Sequence, residues 1–198
     1  MNVAVAVTGA SGAVLAQQLL RALEADVRVS GIDFVASEGA LRVMAEELRF
    51  SGRHEVVEKL LGTAPKKIRT YAEQDIGASI ASGSYPSAGM IVLPCSMGTL
   101  AGIANGMAGN LIERAADVCL KERRPLLLCV RETPFNKIHL RNMQLAADAG
   151  ATIFPVIPAF YNEPATIADM VRNFVDRVLA HFGLPQPDAF VWKPGRTE

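Results

Sequence analysis

Short apolar runs along this chain give way, again and again, to a turn and then to apolar residues spaced three and four apart. Residues 3–7 (VAVAV) form the first run, residues 9–12 (GASG) the turn, and Leu15, Leu19, Leu20 and Leu23 the face that follows. An uninterrupted β-branched run suits a strand buried on both faces, and the later spacing suits an amphipathic helix. The unit recurs as residues 27–35 lead to 39–48, 90–93 to 100–103, and 126–130 to 138–147. Such alternation predicts an α/β fold with a parallel sheet covered by helices.

Elsewhere the pattern changes. Residues 53–61 read as a helix, whereas 66–88 are polar, carry Gly and Pro, and read as a long functional loop. Residues 167–182 place Met170, Val171, Phe174, Val175, Val178 and Leu179 at helical spacing. The tail, residues 183–198, holds Pro185, Pro187, Trp192 and Pro194 and is expected to lie over a neighbour. With no repeat and no break in composition, residues 1–198 are expected to form a single domain.

Composition removes several function classes. Lys plus Arg and Asp plus Glu number 20 each in 198 residues, so the net charge is zero and no basic block favours nucleic acid or an anionic membrane. Cys95, Cys119 and Cys129 are odd in number and form no CxxC pair, which argues against a disulfide framework and against a cysteine zinc site. His54, His139 and His181 match no metal spacing, and no metal is expected. Strand-like sequence begins at once, without a basic leader or a long apolar span, so a cytoplasmic protein is expected. Gly98, Gly102 and Gly106, spaced by four, suit close helix packing within the fold or between subunits.

In open α/β sheets ligands gather beyond the carboxyl ends of the strands. The segments there are residues 8–11, Ser37, residues 94–99 and residues 131–134, all bearing hydroxyl or charged groups. Turns of this kind present backbone amides at a helix N-terminus, suited to phosphate, so a nucleotide or flavin ligand is expected. The GASG turn lacks the Lys of a P-loop and the full GxGxxG spacing, and by itself also serves tight strand-to-helix packing. Lys121, Arg123, Arg124 and Arg131 bracket the run 126–130. Arg123 and Arg124 suit a solvated helix end, whereas Arg131 sits where a guanidinium grips phosphate. Tyr161, Arg177 and Glu47 read in isolation as a packed aromatic and two helix-surface charges.

Five stretches taken together, TGASGA, ASGS, PCSMGTL, NLIERAADVCLKERRPLLLCVRETPF and PAFYNEP, resemble the UbiX family of flavin prenyltransferases, with likeness running from Val3 to about Trp192. The resemblance implies a flavodoxin-like or Rossmann-like doubly wound parallel sheet in three layers. It also implies transfer of a dimethylallyl group from dimethylallyl phosphate to N5 and C6 of reduced FMN, without metal. The product, prenylated FMN, would serve UbiD-type decarboxylases.

By the same resemblance Gly9, Ala10, Ser11, Ser37, Ser96, Met97, Gly98, Thr99 and Arg131 contact FMN. Lys121, Arg131, Tyr161 and Arg177 bind the substrate phosphate, and Ser11, Glu47 and Glu132 are catalytic. A large homo-oligomer, dodecamer-like, with sites between subunits is implied too. The chain departs from many relatives at Glu38-Gly39, where they have Lys-Ala. An FMN-dependent decarboxylase of cysteine-derived substrates and a non-catalytic flavin carrier are the alternatives.

Overall fold

In the computed structural model, which describes residues 1–49 and 55–192, the first apolar run becomes β1 (Asn2–Val7), buried from Val3 onward. Gly12 (φ 125°) then turns the chain into α1 (Ala13–Ala25), whose Leu15, Leu19, Leu20 and Leu23 are buried as their spacing predicts. The remaining units follow as β2 (Gly31–Ala36), α2 (Glu38–Glu47), α3 (Val56–Leu61), β3 (Ile68–Tyr71), β4 (Ser87–Cys95), α4 (Met97–Ala104), α5 (Leu111–Lys121), β5 (Leu126–Val130), α6 (Lys137–Asp148) and β6 (Thr152–Ile153).

All six strands are parallel, in the order β3-β2-β1-β4-β5-β6. This is the doubly wound order of nucleotide-binding sheets. From β1 the chain winds one way and from β4 the other. Right-handed crossovers therefore put α1–α3 on one face and α4–α6 on the opposite face. The packing follows suit: α1 contacts α2 and α3, and α4 contacts α5 and α6. Between β1 and β4 the winding reverses, and their two carboxyl-end turns diverge to leave a crevice.

Two differences from the sequence reading have physical causes. Val27 is 95% exposed, and β2 starts only at Gly31, because apolar character at residues 27–29 belongs to a turn. The segment 66–88 is not all loop. It holds the edge strand β3 and a 3-10 turn (Ser79–Ala81), whose four and three residues are too short to show periodicity. What holds β3 is tertiary: Asp33 of β2, fully buried, accepts hydrogen bonds from Tyr71 (3.2 Å) and Tyr85 (3.0 Å) and pairs with Arg69 at 3.1 Å. The helix expected at 53–61 is seen as α3, and residues 50–54 lie outside the described part. Gly102 packs within the fold, where a Cβ would collide with the Glu113 carboxylate, while a Cβ on Gly98 or Gly106 would meet nothing within 4 Å.

The chain divides into two compact units, Met1–Val156 and Ile157–Glu198. The second is built on α7 (Ile167–His181), which buries Val171, Phe174, Val175, Val178 and Leu179. Its start carries a reciprocal cap between Thr166 and Asp169. Within this unit Tyr161 meets Phe190 (centroids 5.6 Å) and Trp192 (5.8 Å), so the described tail packs on that tyrosine. Residues 193–198 lie outside the described part.

Candidate active site at the strand ends

The crevice is set by Thr8, whose side chain is almost completely buried (1% exposed). Its hydroxyl donates to the Pro94 carbonyl (2.9 Å) and accepts from the Ser96 amide (2.7 Å), while its own amide also donates to Pro94 O (3.1 Å). Flanking turns are joined through backbone alone, Ser37 N to Val7 O at 3.0 Å and Arg131 N to Cys95 O at 3.1 Å. The sequence reading included Thr8 in the turn but gave it no role. Its signal was a hydroxyl residue ending a strand opposite Pro94, which has no N–H to offer a ladder.

Beside this weld the structure brings together Ser11, Glu47 and Arg131. The Glu47 carboxylate accepts from the amides of Gly12 (3.1 Å) and Ala13 (2.8 Å), the open N-terminal donors of α1. Burial pushes its pKa up. The Ser11 hydroxyl, the Ala13 and Gly12 amides and the charge of Arg131 together outweigh burial and hold it below the ordinary 4.5. Glu47 is thus an ionised acceptor beside Ser11, exposed as its helix-surface reading expects yet committed to the amides of α1. Periodicity missed it because Glu47 ends α2 and reaches across to another helix.

The other turns suit a phosphate. Ser96 caps α4, taking the Thr99 amide at 3.3 Å, and its hydroxyl lies 3.1 Å from that of Thr99. The amides of Met97 and Gly98 donate to no acceptor among the described residues. A Cβ on Gly98 would meet only open space, so an oxyanion can approach that backbone. Met97 turns its side chain into the core and offers backbone alone. Ser37 caps α2 (Ala40 N at 3.0 Å), and Gly9 and Gly39 approach so closely that a Cβ on either meets the other's Cα at 3.3 Å. Free amides, two hydroxyls and a guanidinium fit the phosphate of FMN.

Acid lies to one side of Ser37. The Glu38 amide donates to the Glu73 carboxylate (3.0 Å), so that first-turn donor of α2 is already satisfied from within the chain. Both residues also border a cavity of about 670 Å³ between α2, α3 and the ends of β2 and β3. None of Ser11, Glu47, Ser96 or Arg131 lines it, so the cavity is not the site described here.

The basic residues do not all meet. Lys121 ends α5 where β5 begins, paired with Glu122 beside Gly83, whereas Arg131 follows the other end of β5. Five strand residues at about 3.3 Å each separate them by roughly 17 Å. Glu132 is exposed, and its carboxylate accepts from the Thr133 amide at 2.9 Å. Tyr161 and Arg177 belong to the second unit, both exposed. Among the described residues no group of His, Cys, Asp and Glu could hold a metal, and no helix is long and apolar enough to cross a membrane.

A doubly wound sheet with open helix N-termini at its switch point defines a class, and the Flavoprotein family model matches residues 1–180. The chain belongs to that family, and within it to the UbiX-type flavin prenyltransferases. It is 48% identical over 188 residues to flavin prenyltransferase UbiX of Salmonella typhimurium, spanning 94% of this chain and 95% of that one. Among solved structures, a dodecameric FMN-dependent UbiX-like decarboxylase from Escherichia coli O157:H7 is 43% identical, with a TM-score of 0.87 over 98% of this chain and 100% of that one. AnUbiX (PadA1), solved with FMN and dimethylallyl pyrophosphate, is 40% identical with a TM-score of 0.87 over 98% of each chain. The FMN-dependent cysteine decarboxylase SpaF is 20% identical with a TM-score of 0.57, over 78% of this chain and 83% of that one, a likeness of fold alone.

Proposed function

We propose that this chain joins the dimethylallyl group of dimethylallyl phosphate to N5 and C6 of reduced FMN, supplying prenylated FMN to a UbiD-type decarboxylase. The observation that carries the reading is the Glu47 carboxylate, held by the amides of Gly12 and Ala13 at the switch point and kept ionised by the Ser11 hydroxyl and the charge of Arg131. Family membership alone leaves the residue roles open, and this constellation gives them a chemistry.

Bound and reduced, FMN supplies the nucleophilic edge. The protein must hold the flavin, hold the departing phosphate and move protons. Gly9, Ala10, Ser11, Ser37, the residues from Ser96 to Thr99 and Arg131 hold the flavin. Arg131, Tyr161, Arg177 and Lys121 hold the substrate phosphate, and fixed cations there stabilise the oxyanion that forms as the allylic C–O bond breaks. Glu47, ionised at neutral pH, accepts a proton through the Ser11 hydroxyl, and Glu132 stands with Arg131 at the end of β5 to serve the phosphate.

Lys121 joins this set from a neighbouring subunit, because within one chain it lies at the wrong end of the sheet. A homo-oligomer follows, as in the dodecameric relative. A cytoplasmic location accords with three buried, unpaired cysteines. The cysteine-decarboxylase alternative has only the fold to support it, and a passive carrier has no use for a carboxylate wired to Ser11.

The test is direct. Protein, FMN reduced under anaerobic conditions and either dimethylallyl phosphate or the diphosphate are mixed, and the flavin is released for mass spectrometry. A covalent prenyl adduct is expected with at least one donor. Unchanged FMN with both donors refutes the proposal.

A further inference from the structure

We infer that Thr8 is a positioning residue for flavin, acting through its hydroxyl to set the gap between the β1–α1 and β4–α4 turns. The need for it arises in the sheet. The β1–β4 pairing ends at Ala6 opposite Val92, and beyond that point β4 shifts register against its other neighbour, β5, between Val92 and Cys95. Pro94 falls within that irregularity and has no N–H. At the place where β1 and β4 part, one backbone bond remains, Thr8 N to Pro94 O at 3.1 Å, and the Ser96 amide is taken by a side chain rather than by a backbone carbonyl.

The Thr8 hydroxyl extends this contact. It donates to Pro94 O beside the Thr8 amide and accepts from Ser96 N, tying the β4–α4 turn to the end of β1. The other rungs at this rim need no side chain, since Ser37 N meets Val7 O and Arg131 N meets Cys95 O directly. One side of the gap carries Gly9 to Gly12, hence Ser11 and the amides that hold Glu47. The other carries Ser96, whose hydroxyl caps the α4 turn. Engaging the Ser96 amide behind the turn leaves the next amides, of Met97 and Gly98, directed to a ligand. A β-branched apolar residue of the same size at position 8 keeps the packing but leaves the Ser96 amide without its acceptor and Pro94 O with the backbone amide alone, which the turns relieve by moving apart.

The inference rests on flavin binding at these turns and on nothing about the donor. Thr8→Val, close to isosteric, and Thr8→Ser, which keeps the hydroxyl, are compared by FMN titration and by the single-turnover rate of adduct formation at saturating FMN. Thr8→Val is expected to weaken FMN binding by about tenfold or more and to slow adduct formation at saturation, with Thr8→Ser restoring both to within about threefold of wild type. Flavin affinity is read without prenyl transfer, so failure of the prenyltransferase reading and failure of this one are distinguishable. Wild-type affinity and rate in a folded Thr8→Val overturn the inference. If Thr8→Val does not fold, Thr8→Ser decides: wild-type affinity supports the hydroxyl, and loss of affinity overturns it in favour of methyl packing.

Discussion

Replacing Glu47 by Gln separates what the carboxylate does for the fold from what it does for the reaction. The side chain keeps its length and one carbonyl oxygen, so one of the amides of Gly12 and Ala13 retains an acceptor, but the negative charge at the start of α1 is lost. A hydrogen bond to a charged group contributes about 1.5–3 kcal/mol and a carboxylate at a helix N-terminus about 0.3–1 kcal/mol. Glu47 is largely exposed, which reduces the net effect to about 1 kcal/mol at pH 7. In a domain of this size that lowers Tm by about 2–4 °C.

The pH dependence has a definite sign. The folded-state pKa of Glu47 lies below the ordinary 4.5, because Ser11, the two amides and Arg131 together outweigh burial. Its stabilisation is therefore complete above the unfolded-state pKa and is lost as pH falls through the folded one. Calorimetry across pH should show the gap in Tm between wild type and Glu47→Gln at pH 7 narrowing as pH falls below 4.5 and closing once the folded-state carboxylate is protonated. FMN affinity should change little, while adduct formation slows by about 100-fold or more. A gap that is absent at pH 7, or that does not close in acid, refutes the electrostatic reading; a wild-type adduct rate refutes the proton-transfer role.

Other expectations are as specific. Lys121→Met should abolish adduct formation with FMN affinity unchanged, and oligomers reassembled from mixed Lys121→Met and Arg131→Met subunits should regain part of the activity if the two residues meet across subunits. No recovery on mixing would place Lys121 outside the site. Asp33→Asn leaves Arg69 and two phenols around a neutral amide in a buried setting, at a cost of about 1–3 kcal/mol seen as a lower denaturation midpoint with FMN stoichiometry intact. Burial pushes the thiols of Cys95 and Cys119 up to about 12 and that of Cys129 well above 9, so a thiol reagent at pH 8 should label none of them until the protein unfolds.

Much of the sheet was legible because four of its strands are apolar runs long enough to show their period. Their helices followed from spacing, to within a residue or two at most ends. What was illegible was short or polar. β3 has four residues, of which Arg69 and Thr70 are exposed, and it exists as a strand because Asp33 draws Arg69, Tyr71 and Tyr85 together. The strand-end turns could be picked out as a ligand site from chain order, yet the wiring of Glu47 to Ser11 could not, since those residues come from different units of the repeat. Likewise, Lys121 and Arg131 are ten positions apart and look like one cluster, but a strand between them places them at opposite ends of the sheet.

By itself the sequence determined the alternation of strand and helix, the residues buried by it, and the turns from which ligand-binding groups would come, since these depend on neighbours three or four positions away. Only the tertiary structure decided which turns face one another. Strand order put the Thr8 turn beside Pro94 and Ser96 of the distant β4 as well as beside its sequence neighbour β2. With that pairing came the Thr8 hydroxyl that ties the two turns together, and the meeting of Ser11, Glu47 and Arg131. Such meetings depend on which strands lie side by side, and hydrophobic periodicity along a chain carries no information about that order.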